Sequence, residues 1–340
     1  MSIRRITLFP LALNMLLRVA CVDAVQAQST FDLKCAPGNV QWGHSEAGAK
    51  PVLRIASGDS VKVETCSGAE PGPDLPASEI PPQWAAVQES ITDHGPGVHL
   101  LTGPIYVESA EPGDVLEIRF QKFEYAVPFA IVAILPGFSA LFDDFPYDYF
   151  RTVHLNRRTE TAEFRPGITL KLRPFFGFVG VAPPESMGHV SSNPPNFYGG
   201  NLDNRELTAG STLYLPVQVP GALLSVGDAH AVQGDGEVSC CALETALIGT
   251  MQISVRKGQR LLWPRAETPT HYITMGLNAD LNQAAQLATR QMLDWLVTEK
   301  RLSREDAFTL CSVAMELRIT QVVDGTKGVH AMMPKSVFTK

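Results

Sequence analysis

Charge is scarce in this chain and nowhere concentrated. Only 19% of the 340 residues are charged, 35 acidic residues outnumber 28 basic ones, and no basic stripe occurs. The electrostatic footprint of a nucleic-acid binder is therefore missing, as is the basic amphipathic helix of a membrane-surface protein. Long hydrophobic runs are missing too. Beyond the first 27 residues nothing approaches the roughly 20 apolar residues that a membrane-spanning helix needs. Several compact signatures are also absent: no Cys-x-x-Cys for a zinc knuckle, no His-Glu-x-x-His, and no Gly-x-Ser-x-Gly nucleophile elbow.

What is present begins with an export pattern. Arg4 and Arg5 form a positive start, Ile6 to Ala20 is mostly apolar around Pro10, and Val25-Gln26-Ala27 offers small residues for cleavage before Gln28. We expect residues 1–27 to be a removed signal peptide, leaving one domain over 28–340, secreted or periplasmic and without membrane contact. Losing three arginines and one aspartate with the signal moves the formal charge from −7 to −9. Five cysteines remain: Cys35, Cys66, Cys240, Cys241 and Cys311. An odd count leaves at least one thiol unpaired or intermolecular. Cys35 with Cys66 is one conceivable bridge; buried unpaired thiols are the other reading. A catalytic thiol at Cys240 or Cys241 would need a base and a lowered pKa, neither visible in the sequence.

Strand signals dominate about residues 35–265. Pro51 to Thr65 is two alternating runs hinged on Ser57-Gly58-Asp59, and Ala110 to Phe120 repeats the second half of that device after Gly113-Asp114. Thr208 to Val219 and Glu244 to Val255 are further strands. Short strands with regular turns predict a mainly-β sandwich or barrel-like sheet system, with helices late in the chain at about 278–320. Asp280 caps one helix running to Val297; Ser303-Arg-Glu-Asp306 resembles a capping box ahead of a second over Ala307 to Leu317. Their apolar stripes read as core packing. Two Pro/Gly-rich stretches, Glu70 to Gln83 and Ala182 to Asn204, are too long for simple turns. The second, with Asn193, Asn201, Asp203 and Asn204 around Gly199-Gly200, suits an ordered site wall.

The densest polar constellation is Asp228-Ala-His230-Ala-Val-Gln233-Gly234-Asp235-Gly236-Glu237. In an extended segment Asp228 and His230 share a side, because side chains alternate with period two. Gly234 and Gly236 permit a reversal that returns Glu237 toward them. Two carboxylates and an imidazole make a divalent-metal site, zinc with few ligands or calcium with many oxygens. The competing reading is plain turn chemistry, since Gly-Asp pairs also mark Asp59 and Asp114. His94 to Glu108, with His99, is a second and weaker cluster, and Gln41-Trp42-Gly43-His44 a third.

Those segments, with Asn39 to Gly43, Ser57 to Thr65, His99 to Glu108, Ala110 to Glu117, Gly199 to Asn204, Leu215 to Glu237 and Arg265 to Thr274, occur in one order that resembles the acetamidase/formamidase family across the whole mature chain. The resemblance implies a mainly-β fold with late helices, a divalent metal in some members, and hydrolysis of short amides to carboxylate and ammonia. It marks Asp228, His230, Asp235 and Glu237 in the acidic turn, Asn201 and Asp203 in the glycine loop, and His99. One departure is Gln41, where the family pattern leads us to expect His before Trp-Gly. The expected scheme has Asp228, His230 and Glu237 holding zinc or calcium, with Glu108, Asp235 or Glu237 moving the proton. Asn201 would steady the oxyanion, and Asp203 and His99 would contact a small amide. A homodimer is the expected assembly. The rival expectation is a secreted β-sandwich that binds a carbohydrate or small ligand and keeps the metal for structure alone.

Overall fold

The computed structural model describes residues 28–67 and 75–339. The segment read as an export signal and the first part of the Glu70–Gln83 stretch lie outside the described residues.

Two large sheets face each other. A nine-stranded sheet runs in the order Thr30–Leu33, Ser60–Glu64, Leu247–Arg256, Val115–Tyr125, Thr212–Pro216, Arg265–Glu267, His271–Asn278, Lys327–Pro334 and Glu316–Gln321. An eleven-stranded sheet centres on Leu224–His230, flanked by Phe175–Gly180, Leu100–Val107 and the short Glu244–Thr245. The alternation read from the sequence explains the layering. Val61 and Val63 are fully buried while Ser60, Lys62 and Glu64 face outward, as period two requires. Val61, Ile118, Leu213 and Ile253 from one sheet meet Ile105, Phe176, Leu224 and Val226 from the other in a single core. The mainly-β sandwich expectation holds.

The two runs around Gly58 do not pair with each other. Leu53–Ile55 joins Leu100–Val107 in one sheet, whereas Ser60–Glu64 joins Leu247–Arg256 in the other. The turn between them is a crossover, held by Asp59, whose carboxylate accepts from Ala56 N–H at 2.8 Å and Ser29 N–H at 2.9 Å.

Three α-helices are described. The first, α1 (Pro82–Ser90), carries proline in its opening turn, where a missing N–H costs nothing. Weak periodicity hid it from sequence reading. The second, α2 (Leu281–Lys300), starts on the Asp280 cap, which accepts from Gln283 N–H. Its Ala284, Ala288, Met292 and Leu296 pack on Val329, Ala331 and Met333. The third, α3 (Arg304–Ala314), is capped by Ser303 and ends three residues before the expected Leu317. Met315 is extended, and the Leu317-Arg-Ile319-Thr run pairs with Lys327–Pro334 instead. The late region thus mixes two helices with sheet, because β-branched residues beyond 316 find a strand partner. Cys35 and Cys66 are disulfide-bonded, with Cα atoms 5.8 Å apart.

Candidate functional site

The strand Leu224–His230 is irregular where the chemistry lies. Asp228 has φ of 49°, in the left-handed region, and the register with Phe175–Gly180 skips from Gly227 to Ala229 opposite Phe178 and Phe176. Gly177 occupies the gap. A Cβ there would fall on Asp228 Oδ2 and lie 2.5 Å from Asp203 Oδ1, so only glycine leaves room for both carboxylates. Asp203 and Glu237 also have positive φ, 47° and 46°. Three acidic side chains on strained backbone in one place are the mark of a functional cluster.

The cluster centres on His230, which is 1% exposed. Its Nε2 lies 3.0 Å from Asp228 Oδ2, 3.2 Å from Glu244 Oε2, 3.9 Å from Glu237 Oε1 and 4.0 Å from Asp203 Oδ1. On the opposite edge Nδ1 is 3.0 Å from Gln233 Oε1. Gln233 spends its amide protons on the backbone carbonyls of Asp203, at 2.8 Å, and Thr320, at 3.2 Å. Its oxygen must therefore accept, so Nδ1 carries hydrogen and Nε2 is the atom offered to the acidic side.

Asn201 holds two further carboxylates, its amide donating to Asp203 Oδ2 at 2.9 Å and Asp324 Oδ2 at 3.1 Å. Gln321 Oε1 accepts from the N–H groups of Val323 and Asp324 and shapes the turn that presents Asp324. Ala242 N–H donates to Glu244 Oε1 at 2.8 Å. On the neighbouring wall, His99 Nε2 is 3.8 Å from Asp228 Oδ1, and its Nδ1 is 3.0 Å from Ser192 Oγ.

Burial, reinforced by the other carboxylates, lifts Asp203 and Glu237 well above the usual carboxylate range. The same burial pushes Asp324 up to about 6, and Glu244 also rises. Asp228 is the exception: burial opposes its charge, but His230 and His99 outweigh it and hold it below the usual range. Burial likewise opposes an imidazolium at His230, yet Glu244 and Asp228 carry its pKa well above the ordinary value.

Four buried polar atoms here lack hydrogen-bond partners: His230 Nε2, Asp203 Oδ1, Asn201 Oδ1 and Glu237 Oε2. Potential ligand atoms of Asp203, Asp228 and His230, of His230, Glu237 and Glu244, and of Asp203, Glu237 and Asp324 form groups within 4.8 Å. An imidazole nitrogen among carboxylate oxygens, with orphaned atoms facing inward, fits a divalent cation. A separate trio, His44, Glu46 and His189, does not fit as well. The two rings stack 4.5 Å apart with planes 4° from parallel, so one ion cannot lie in both ring planes. His189 Nε2 instead pairs with Glu46 Oε2 at 2.6 Å.

The cluster opens on a cavity of about 320 Å³ lined also by Val98, Leu100, Ala133, Leu135, Phe138, Phe150, Cys240 and Cys241. Of the residues singled out in sequence, Asp228, Glu237, Asn201, Asp203 and His99 line it, and His230 lies behind Asp228 and Glu244, within 3.2 Å of both. Glu108 and Asp235 do neither. Glu108 is exposed and bound to Arg54 at 3.0 Å, because its strand ends at Val107, outside the sandwich. Asp235 is held by Arg318 at 2.7 Å and lies 3.7 Å from Arg205, pulled off the cavity by two guanidinium groups. Gln41 faces Leu101 across a strand pair and is not among the lining residues. The sequence reading missed Glu244 and Asp324. Glu244 stands opposite His230 in an antiparallel pair that only the fold reveals; Asp324 arrives from the turn after Glu316–Gln321, a strand that overlaps the region expected to be helical.

The acetamidase/formamidase family model matches residues 50–194 and 189–340, and the chain belongs to that family. Particular relatives agree. An acetamidase of Mycolicibacterium smegmatis is 25% identical over 299 residues, 70% of each chain. A formamidase of Methylophilus methylotrophus is 28% identical over 235 residues, 51% of this chain and 58% of its own length. Among solved structures, the acetamidase of Yersinia enterocolitica superposes with a TM-score of 0.82 at 29% identity, covering 94% of this chain and 96% of that one. The sequence alignments span between 52% and 70% of the curated relatives' own lengths.

Proposed function

We propose that this protein hydrolyses the C–N bond of amides at the His230 cluster, adding water to the carbonyl and releasing a carboxylic acid and ammonia. One observation carries the reading: five carboxylates gathered around a buried imidazole, with unsatisfied atoms on Asp203, Glu237 and His230, line a cavity large enough for a small molecule or stand directly behind its wall. Family membership supports the same reaction class.

His230, Asp228, Glu244 and Glu237 would hold a divalent cation, zinc or calcium. Such a cation supplies Lewis-acid chemistry, lowering the pKa of water and polarising a carbonyl. The remaining work falls to the chain. Asp228, kept ionised below the usual carboxylate range, binds a proton too weakly to act as a base and serves as a ligand. The Asp203–Asp324 pair, kept partly protonated by burial and mutual repulsion, takes up a proton from the attacking water and returns one to the departing nitrogen, because an amine leaves poorly without one. Ser192 Oγ accepts from the His99 backbone N–H at 3.3 Å, and as a donor to His99 Nδ1 it would leave the ring hydrogen on Nε2. His99 Nε2 then carries the hydrogen that steadies the developing oxyanion. Asn201 changes role from the sequence expectation: both of its amide bonds are spent on carboxylates, and it orients the acids instead.

The Cys35–Cys66 disulfide supports export to an oxidising compartment. The decisive experiment measures ammonia release from formamide and acetamide before and after chelator treatment, with metal content verified. Loss on stripping and recovery with zinc or calcium is expected. Undiminished turnover in metal-free protein would sink the cation's part, and no turnover in any state would sink the reaction.

A further inference from the structure

The cavity lining is of two kinds. One is the acidic set of Asp203, Asp228, Glu237, Glu244 and Asp324. The other is formed by Val98, Leu100, Ala133, Leu135, Phe138 and Phe150, and no lysine or arginine lines the cavity among the described residues. At about 320 Å³ it falls within the range of roughly 300–1,000 Å³ that holds ligands far larger than a molecule of three or four heavy atoms. Formamide or acetamide would engage the acidic set and leave the apolar walls to water.

The mouth points the same way. Val98 is 58% exposed and Phe138 49%, and the segment after Phe138 continues through exposed Leu141 and Phe142. That segment is tied back to the acidic turn by Ala140 N–H donating to Val238 O at 2.9 Å. An apolar collar at the entrance of a cavity whose acidic lining accepts protons suits a molecule with a donor head and an apolar tail. A carboxamide NH2 is such a head. A tail bearing a carboxylate is disfavoured, since no cation meets it and the nearby charges are negative.

We infer that the substrates are uncharged primary amides whose acyl group is an apolar chain or ring of about five to eight carbons, a size set by the cavity. The tail lies between Leu135, Phe138 and Phe150, and the carboxamide faces Asp228 and Glu244. This deepens the amide-hydrolysis reading and rests on it. The balance is that of any amide hydrolysis: water adds, the C–N bond breaks, and ammonia leaves with the carboxylic acid.

The test is a series of formamide, acetamide, butanamide, hexanamide, phenylacetamide and succinamate, scored by ammonia release. Each methylene that moves from water to the apolar wall should raise kcat/KM about fourfold, so hexanamide should exceed acetamide by well over tenfold and succinamate should fall below butanamide. Phe138→Ala and Leu135→Ala should each lower the hexanamide-to-acetamide ratio several-fold. A flat or falling series with acetamide still hydrolysed overturns this inference and leaves the amidase reading standing. If no amide is hydrolysed, the amidase reading fails, and thermal unfolding with the same compounds decides the pocket. A larger Tm rise with hexanamide than with acetamide supports an apolar-tail site; equal rises overturn it.

Discussion

Gln233 accepts the Nδ1 proton of His230 at 3.0 Å while its own amide is consumed by two backbone carbonyls. That single side chain fixes which imidazole nitrogen meets the carboxylates, and it ties the acidic turn to both the Asp203 loop and the Thr320 strand.

Replacing Gln233 with Leu should therefore disturb more than one contact. The Asp203 carbonyl and the imidazole N–H lose a buried partner, each worth about 1–3 kcal/mol when left unsatisfied, while the Thr320 carbonyl keeps Gly236 N–H. Outer partners of a metal-ligating histidine typically govern affinity by about 10- to 100-fold. We expect a fall in Tm together with zinc or calcium affinity weakened to that degree, read by equilibrium titration. Unchanged affinity would mean that His230 does not need this orientation.

Gly177→Ala tests the crowding of the two aspartates. The added methyl meets Asp228 Oδ2 and Asp203 Oδ1, and relief must come from moving them. Overpacking should cost about 1–3 kcal/mol, and misplacing reacting groups by an ångström should cost activity about 100-fold. Steady-state kinetics beside denaturant unfolding checks both. Full activity at reduced stability would exclude those aspartates from the chemistry.

Sequence reading reached further into this site than into the fold around it. Asp228, His230 and Glu237 lie within ten residues, so period-two geometry and two glycines were enough to bring them together. Asn201, Asp203 and His99 came from motif order. Glu244 and Asp324 depend on strand pairing across 14 and 94 residues from His230, and no local pattern encodes such a pairing. The Ser-Gly-Asp turn at Asp59 shows the same limit: its chemistry says that the chain reverses, not which sheet receives it. Glu108 and Asp235 were misplaced for a related reason, since a guanidinium partner distant in sequence decides where each carboxylate points.

Glu244→Gln and Glu108→Ala should separate the two kinds of acidic residue. The former removes charge 3.2 Å from His230 Nε2 and should lower kcat/KM by at least about 100-fold, the scale of a transition-state interaction worth roughly 3 kcal/mol. The latter removes an exposed pair with Arg54, and its kcat/KM should stay within about twofold, as for surface pairs in general. Equal losses in the two variants would return Glu108 to the mechanism.

The raised carboxylates make a pH prediction for chelator-treated protein. Asp324 sits at about 6 against an ordinary value of 3.8, so the folded state binds its proton more tightly than the unfolded state. Stability from this group is fully present below the unfolded pKa and is lost as pH rises through the folded one. Asp203 and Glu237 shift in the same direction. Depressed Asp228 opposes them only in stronger acid, whereas His330, pushed down to about 4 by burial, opposes them between pH 4 and 6.5 and offsets one of the raised carboxylates. Between pH 5 and 6 the loss should be on the order of 1 kcal/mol per pH unit, so Tm should be higher at pH 5 than at pH 7 and excess divalent cation should erase the difference. A Tm that rises with pH over this window, without cation, would contradict the burial of protonated acids.

The acidic turn is moored to the end of the chain, with Gly236 N–H donating to Thr320 O at 3.2 Å and Val322 N–H to Gly236 O at 3.1 Å. The strand pair over residues 316–334 therefore serves the centre from outside the sheet that bears it: the turn it encloses delivers Asp324, and its Thr320 carbonyl holds both Gly236 and the amide of Gln233. A substitution that shifts this pair would reach the imidazole and the acidic turn together, although it touches neither Asp228 nor His230.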